Sequence, residues 1–251
     1  MKRVFDPQEL EFMDREQPVT PELEAVMRNL AAINRLFGSH RLLRKFLELW
    51  FNPGRCYRVL DLCTGAGDLP RVMVDWARPQ EISLRIDALD ASEASIEIAR
   101  KASADYPEIR YVRDDALKYQ TKDTYDLVIC ALALHHFSEE QAVQVLRRCR
   151  ELSHRCVLVS DLERSVFTLA GINLLTSICY REPATRHDGM LSARRAFSYR
   201  EFRELAIAAG WQDFGHGRFL LCRQAIWLDL RELAEIPIVD GGVAEGLPCP
   251  T

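Results

Sequence analysis

Two amphipathic patterns occupy the first part of the chain. One starts at Thr20-Pro21, a capping hydroxyl followed by proline, and ends near Gly38, while the second ends at Asn52-Pro53-Gly54. In each pattern, apolar side chains recur every three or four residues, which predicts a helix with one buried face. Such helices either cover an edge of a sheet or also close over a substrate pocket. Residues 1–17 show little periodicity, so we expect a loose arm or a short helix there.

From residue 54 onward, short apolar runs alternate with helical patterns. This alternation is typical of an α/β domain with a mostly parallel sheet and helices on both faces. The first five predicted strands cover residues 58–62, 83–89, 109–112, 125–131 and 156–160. We place this domain at residues 54–235, after an N-terminal arm and helical cap at 1–53 and before a tail at 236–251.

Residues 162–197 interrupt the alternation. Their first half, Phe167 to Tyr180, has a helical pattern, and their second half is polar. An insertion of this length inside a compact domain is more often functional than not. A helix over residues 198–209 follows, and then two strands, 211–221 and 222–230, which we expect to be joined through or near Gly215-His216-Gly217-Arg218.

Composition narrows the class of protein. The net charge of −4 provides no general attraction to nucleic acid, and 48% hydrophobic residues suffice for a large core. No apolar run approaches the roughly 18 residues of a membrane span, and the first residues lack the apolar region of a secretory signal. The cysteines form no Cys-x-x-Cys pair, which argues against a zinc ribbon or a dithiol redox site. We therefore expect a cytoplasmic protein with no nucleic-acid partner and no membrane span.

Polar residues follow several of the predicted strands at their carboxyl ends, where open α/β sheets bind ligands. The first strand runs through Asp61 into a turn with Gly65 and Gly67, whose glycines let a ligand approach the backbone closely. Asp90, at the end of the second strand, suits a ribose diol because a carboxylate accepts from both hydroxyls. Taken alone, the short glycine pattern is also compatible with an ordinary tight connection.

Four motifs in register resemble those of the class I S-adenosylmethionine-dependent methyltransferases. They begin at Leu60, Ala88, Arg113 and Tyr125, and the resemblance covers roughly residues 52–230. It implies a Rossmann-like methyltransferase fold with a seven-stranded, mostly parallel sheet, an antiparallel last strand, an N-terminal helical cap and a helical insertion after the fifth strand. Cys63 departs from the pattern, since it stands where the family usually has its first glycine.

The same resemblance implies S-adenosylmethionine as the cofactor. Asp61 and the glycine turn would contact its methionine part, Asp90 its ribose, and Asp115 with Ala116 its adenine, while Leu132 would line the pocket below the sulfonium. The implied cofactor-binding residues are Asp61, Cys63, Thr64, Gly65, Gly67, Asp90, Ala91, Asp114, Asp115, Ala116, Ala131 and Leu132.

Within the family, the glycine turn, the Leu-His-His-Phe stretch and the segment 186–197 are similar to bacterial small-molecule methyltransferases of the quinone and polyketide type. That similarity implies a small-molecule acceptor with a phenolic, polyketide-like or quinone-like hydroxyl or ring carbon, and it allows a homodimer. The chain lacks the Asp/Asn-Pro-Pro-aromatic motif of nucleic-acid amino-methyltransferases after the fourth strand. Cys130, Ala131 and Leu132 supply no acidic ligand there, so we predict no catalytic metal.

Methyl transfer to a hydroxyl requires removal of its proton, and histidine suits that task near neutral pH. His135 and His136 follow the fourth strand, at the expected mouth of the pocket, with Asp161 at the end of the fifth. We expect that adjacent residues do not both point the same way, and His136 would equally serve for packing. His187 is a further catalytic candidate, although His187-Asp188-Gly189 is also a favourable turn.

Two other functions fit parts of the sequence. A methyltransferase-fold subunit that has lost catalysis would keep the same strand ends but act by binding or regulation. A nicotinamide-dependent oxidoreductase shares the α/β architecture. However, the turn Thr64–Asp68 does not continue as Gly-x-Gly-x-x-Gly, and Asp68 would repel a pyrophosphate.

Overall fold

The structure is a computed structural model that describes residues 1–180, 182–219 and 222–231. The predicted tail, 236–251, lies outside these residues. The strands are β1 (Cys56–Leu62), β2 (Ser83–Asp90), β3 (Ile109–Arg113), β4 (Tyr125–Ala131), β5 (Ser153–Leu162), β6 (Gly215–Phe219) and β7 (Arg223–Asp229). The helices are α1 (Pro21–Leu36), α2 (Ser39–Trp50), α3 (Asp68–Ala77), α4 (Glu93–Ala102), α5 (Glu139–Leu152), α6 (Val166–Cys179), α7 (Pro183–Arg195) and α8 (Tyr199–Ala208).

All seven strands form one sheet in the order β3-β2-β1-β4-β5-β7-β6. The first five strands along the chain are parallel, and β7 is antiparallel to both β5 and β6. The predicted fold class and the antiparallel last strand are therefore confirmed. Because the parallel strands end at one edge, the residues that follow them lie side by side there.

Local sequence signals explain where two helices near that edge begin. The Thr20 side chain accepts a hydrogen bond from the backbone N–H of Leu23, and Pro21 occupies the first position of α1. Ser138 and Gln141 form a reciprocal capping box at the start of α5. These caps satisfy backbone groups that the helix cannot pair itself and so fix each starting point.

Apolar layers on both faces hold the helices on the sheet. Phe202 of α8 and Val128 of β4 belong to one layer, together with much of α5. Trp50 of α2 and Leu127 of β4 belong to the opposite layer, which also includes α3. Adjacent β4 residues thus point to opposite faces, as strand geometry requires. None of the helices in the described part of the chain combines the length and hydropathy needed to cross a membrane.

The insertion after β5 differs from the prediction in its second half. The polar segment forms the helix α7, which packs against α6 and α1. Thr185, Asp188 and Ser192 are buried within it because α1 and the N-terminal arm supply hydrogen-bond partners. The predicted turn at His187-Asp188-Gly189 is therefore wrong, since these residues lie inside the helix.

The expected connection between the last two strands is also misplaced. Gly215 and Gly217 lie within β6 rather than in a turn. A Cβ atom at Gly215 would overlap the ring of Trp227 on the neighbouring strand, so glycine permits the close approach of β6 to β7. Gly215 therefore makes room for an aromatic side chain rather than marking a turn.

Candidate active site

A cavity lies at the carboxyl edge of the sheet. The turn after β1 and the residues after β4 form one side, while α1, the insertion and the N-terminal arm supply the rest. It brings together eight of the predicted site residues: Asp61, Cys63, Thr64, Gly65, Ala131, Leu132, His135 and His136. The predicted methionine side of the site and both adjacent histidines therefore share one cavity.

The turn between β1 and α3 has an unusual backbone. Cys63, Gly65 and Gly67 have φ angles of 61°, 55° and 69°. Gly67 leaves no room for a side chain, because a Cβ atom there would overlap the hydroxyl and ring of Tyr111. Cys63 adopts the left-handed region without being glycine, at a cost of roughly 1–2 kcal/mol. The surrounding structure thus holds this turn in a conformation that keeps its backbone close to the cavity.

Asp61 and Thr64 present buried polar atoms to the cavity. Asp61 is 2% exposed, and among the described residues its Oδ2 atom has no hydrogen-bond partner. The Thr64 hydroxyl is likewise unpartnered within the described ranges. Burial raises the pKa of Asp61 to about 8, and the neighbouring Thr64 hydroxyl offsets only part of that rise. A carboxyl group in this state is stabilised in its charged form by any cationic ligand group that approaches it.

The remaining cofactor candidates lie at the turn and strand ends beside the cavity. Asp90 accepts hydrogen bonds from the backbone N–H groups of Gly65 at 2.8 Å and Ser92 at 2.9 Å. It therefore ties the turn after β1 to the start of α4, and burial raises its pKa. Asp115 accepts from the backbone N–H of Leu117 at 2.9 Å. The other members of this group are Gly67, Ala91, Asp114 and Ala116. Like Asp90 and Asp115, they do not line the cavity.

His135 is held in place by Asp161 near the end of β5. Its Nδ1 atom lies 2.7 Å from Oδ1 of Asp161, and its backbone N–H donates to Oδ2 at 2.9 Å. Burial favours a protonated Asp161, but His135 and the backbone N–H of Leu162 outweigh it and lower the pKa of that carboxyl. Burial also lowers the pKa of His135. At neutral pH, a neutral imidazole therefore donates its Nδ1–H to a carboxylate, which leaves Nε2 able to accept a proton.

His136 carries a different charge from its neighbour. Its Nδ1 atom lies 2.8 Å from Oδ2 of Asp14. Burial lowers its pKa, but the carboxylates of Asp14 and Glu11 outweigh burial and raise it to about 10. His136 is therefore an imidazolium at neutral pH and has no lone pair with which to act as a base.

The two histidine rings lie close together, with centroids 4.3 Å apart. Both line the cavity because they belong to a 3-10 turn, Leu134–His136, rather than to an extended strand. The expectation that adjacent residues would not both point the same way is wrong, since it assumed strand geometry after β4.

The N-terminal arm supplies site residues that sequence reasoning missed. Glu11 is 1% exposed, lines the cavity and accepts a hydrogen bond from the Ser192 hydroxyl at 2.7 Å. Its Oε1 atom lies 3.8 Å from Nε2 of His135, and burial raises its pKa to about 7. Asp188 of α7 holds the arm by accepting from the backbone N–H of Phe12 at 2.8 Å. In the sequence, the one feature that could have pointed to a buried Glu11 is its position between the apolar residues Leu10 and Phe12.

His187, the third catalytic candidate, does not line this cavity. It is 46% exposed at its side chain and faces a separate surface pocket between α6 and α7. Its Nδ1 atom lies 3.3 Å from Oδ1 of Asp188. The structure therefore separates His187 from the other two histidines.

Glu11, His135 and His136 also form a group that could hold a metal ion, because their ligand atoms lie within 4.8 Å of one another. The prediction of no metal rested on the residues at the end of β4. The N-terminal arm, however, brings the Glu11 carboxylate to the histidines that follow this strand. Each of the three is already engaged, by Ser192, Asp161 and Asp14 respectively. A metal ion at this position would have to displace these contacts and take up deprotonated ligand atoms.

Comparison with known proteins agrees with this geometry. Residues 59–154 match the family model described as a methyltransferase domain. Over 81 residues the chain is 36% identical to a 2-phytyl-1,4-naphtoquinone methyltransferase of Thermosynechococcus vestitus. That match covers 32% of this chain and 35% of the relative, so the chain spans about a third of the length of the curated relative it matches.

Solved structures share the fold over most of the chain. The plantazolicin methyltransferase BamL, solved with a triazolic desmethylPZN analogue and SAH, covers 82% of this chain and 90% of its own, with a TM-score of 0.62 and 16% identity. A SAM-dependent methyltransferase from Aquifex aeolicus covers 81% of this chain and 96% of its own, with a TM-score of 0.55 and 16% identity. At these identities, the likeness establishes the fold.

Proposed function

We propose that this chain transfers a methyl group from S-adenosylmethionine to a small-molecule acceptor, which the match of residues 59–154 to a methyltransferase-domain model and the strand order of the sheet support. The acceptor atom is a phenolic, polyketide-like or quinone-like hydroxyl or ring carbon. The observation that carries the proposal is the content of one cavity. It holds the Asp61 carboxyl, whose Oδ2 atom has no hydrogen-bond partner among the described residues, and a histidine that Asp161 would orient as a base.

The residues at the sheet edge fit the proposed cofactor. The buried Asp61 carboxyl and the Thr64 hydroxyl lack partners in the described chain and would receive the ammonium group of a methionine moiety. Asp90 would hold the ribose hydroxyls, and Asp115 with Ala116 would read the adenine amino group. When bound, S-adenosylmethionine supplies an electrophilic methyl group on its sulfonium. A nucleophile positioned in line with the sulfur–methyl bond can accept this methyl group.

His135 would act as the general base. Its Nδ1–H donates to Asp161, so Nε2 is the atom that would take the proton from the acceptor hydroxyl or carbon. Asp161 stabilises the imidazolium that results. Positioned proton transfer of this kind contributes about 10²–10⁴ in rate.

His136 and Asp14 would form a fixed charge pair beside the reacting groups. His136 is already protonated, so it would stabilise negative charge on a deprotonated acceptor rather than remove a proton. We assign no role in proton transfer to His187, which faces another pocket. Proton transfer through His135 requires no metal ion.

The named relative supports the acceptor class. Its description, a 2-phytyl-1,4-naphtoquinone methyltransferase, concerns a quinone, and the shared segment is 36% identical. Apolar residues line the cavity from α1, from the residue that follows it and from the insertion, among them Leu30, Phe37 and Ile172. They suit a flat hydrophobic molecule.

The first test compares ligands in a thermal-shift assay. We expect S-adenosylhomocysteine to raise the unfolding temperature of the purified chain and NADH to leave it unchanged. Protection by NADH alone would overturn the proposal in favour of an oxidoreductase.

The second test measures methyl transfer. The purified chain is incubated with methyl-labelled S-adenosylmethionine and a panel of phenols, naphthoquinols and hydroxylated polyketides, and the labelled product is counted after extraction. We expect labelling of at least one panel member. Tight binding of S-adenosylhomocysteine without any transfer would favour the alternative, a binding or regulatory subunit that has lost catalysis.

A further inference from the structure

Arg223 is a buried cation in the wall of the same cavity. It is the first residue of β7 and pairs with Leu162 at the end of β5, which places it at the carboxyl edge of the sheet. It is 2% exposed and lines the cavity together with Asn34 of α1. An arginine in this position is unusual, because charged side chains are rarely fully buried unless they are paired.

The guanidinium of Arg223 is only partly satisfied. Its Nη2 atom donates to Oδ1 of Asn34 at 3.0 Å. Within the described residues, the Nε and Nη1 atoms have no hydrogen-bond acceptor. These two atoms carry three of the five N–H donors of a guanidinium that stays charged in proteins. A buried charge without such partners destabilises the fold, so a bound ligand group is a natural partner for the donors that the described residues leave free.

The neighbouring carboxylates do not supply that partner. Asp161 attracts Arg223 electrostatically, but its two oxygens accept from His135 and from the backbone N–H of Leu162. Asp68 attracts it as well, although its buried Oδ2 atom has no hydrogen-bond partner in the described ranges. Neither aspartate makes a hydrogen bond to the guanidinium among the described residues, and the guanidinium lines the cavity.

We propose that Arg223 and Asn34 form an anion-binding subsite for a carboxylate or phenolate oxygen of the acceptor. The inference rests on the proposed function, since it names the chemistry of the molecule that the cavity accepts. The strand order β1-β4-β5-β7 places the His135–Asp161 pair between Asp61 and Arg223. An acceptor anchored by Arg223 would thus approach the base from the side opposite the methionine moiety. An aromatic acid is the simplest molecule with both the required charge and a flat apolar body.

The test uses small aromatic acids and their neutral counterparts. The dissociation constants of benzoate, 1-naphthoate, benzamide and 1-naphthamide are measured by calorimetry, on the full chain with and without S-adenosylhomocysteine. We expect the acids to bind the wild-type protein at least tenfold more tightly than the amides, because hydrogen bonds to charged groups are worth roughly 1.5–3 kcal/mol. Equal binding of acids and amides, or binding of neither, would overturn the subsite.

Two substitutions and a matched control connect that preference to Arg223. Arg223→Met should lose the preference for acids while S-adenosylhomocysteine affinity stays within about twofold. Arg223→Lys should keep part of it, because it retains the charge but not the planar donor geometry. The control Arg200→Met, at an 87% exposed side chain of α8, should change nothing. An acid preference that survives in Arg223→Met would contradict the assignment.

Stability provides a second measurement that needs no acceptor. Because Arg223 carries an uncompensated buried charge, Arg223→Met should unfold at the same temperature as the wild-type protein or at a higher one. A large fall in its unfolding temperature would mean that the guanidinium has an internal structural partner, which would overturn the proposal.

Nucleoside binding distinguishes an acceptor anion at Arg223 from the carboxylate of the cofactor. If Arg223→Met weakens S-adenosylhomocysteine but not 5′-methylthioadenosine, which lacks the amino-acid part, the anion belongs to the cofactor and the acceptor assignment fails. Absence of S-adenosylhomocysteine binding to the wild-type chain would instead defeat the proposed function, while the acid-to-amide comparison without nucleoside would still test the subsite.

Discussion

Replacing Asp61 by asparagine should remove the pH dependence of S-adenosylhomocysteine binding. Asp61 is buried without a partner for Oδ2 among the described residues, and burial raises its pKa to about 8. In the proposed binding mode, the ionised form of this carboxyl would stabilise the ammonium group of the ligand. Binding would then select the minority of molecules in which Asp61 is charged.

The size of the effect follows from that pKa. With a pKa of about 8, roughly one molecule in ten carries an ionised Asp61 at pH 7 and one in a hundred at pH 6. The apparent affinity should thus improve about ninefold between pH 6 and pH 7 and about fivefold between pH 7 and pH 8. At pH 7, binding should release about 0.9 proton from this group.

Calorimetry in two buffers of different ionisation enthalpy measures both quantities. Asp61→Asn should bind with an affinity that varies much less over this range and should lose the proton release, whereas Asp75→Asn, on the exposed side of α3, should behave as the wild type. Equal proton release by wild type and Asp61→Asn would refute the reasoning.

The free protein offers an independent check on the same group. An unfolded Asp61 ionises near its usual pH, but the folded one does so only near pH 8. The folded protein therefore loses stability as the pH rises from about 4, where an unfolded Asp61 ionises, to about 8, where the folded one does. Without ligand, Asp61→Asn should unfold at a higher temperature than the wild type at pH 8, and the difference should shrink towards pH 4.

Three further predictions concern the base, the turn and the arm. Asp161→Asn should place an amide donor against His135 and lower the methyl-transfer rate about 10²–10⁴-fold with little change in S-adenosylhomocysteine affinity; an unchanged rate in a single-turnover assay would remove His135 as the base. Gly67→Ala should lower the unfolding temperature by about 2–8 °C through left-handed strain and the clash with Tyr111, whereas Gly171→Ala, which meets open space in α6, should not lower it; equal scans would count against the close approach. Removal of residues 1–14 takes Glu11 away from the cavity and should speed S-adenosylhomocysteine dissociation in stopped flow, and an unchanged rate would show that the arm does not cover the ligand.

The strand ends could be predicted from the sequence because their signals are local. Apolar runs mark the buried strands, and parallel strands must end at one edge, so Asp61, Asp90 and Asp115 had to lie near one another. The turn at Gly65 and Gly67 followed for the same reason, since few other residues adopt its backbone conformation.

The acceptor side depended on contacts between distant segments. Glu11 reaches His135 because α7 binds the arm, through Asp188 and Ser192 among other residues, and no pattern within residues 1–17 predicts those partners. α7 itself was missed because its buried side chains are polar, so its hydrophobic pattern is weak. The different protonation of His135 and His136 likewise follows from Asp161 and Asp14, which only the fold brings to them.

A crystal structure of the chain with S-adenosylhomocysteine tests the central claim most directly. We predict that the ligand ammonium lies within hydrogen-bond distance of Asp61, that its ribose contacts Asp90, and that its sulfur faces the space between His135 and Arg223. Binding of the nucleoside away from the turn after β1, or a sulfur directed away from His135, would contradict the account.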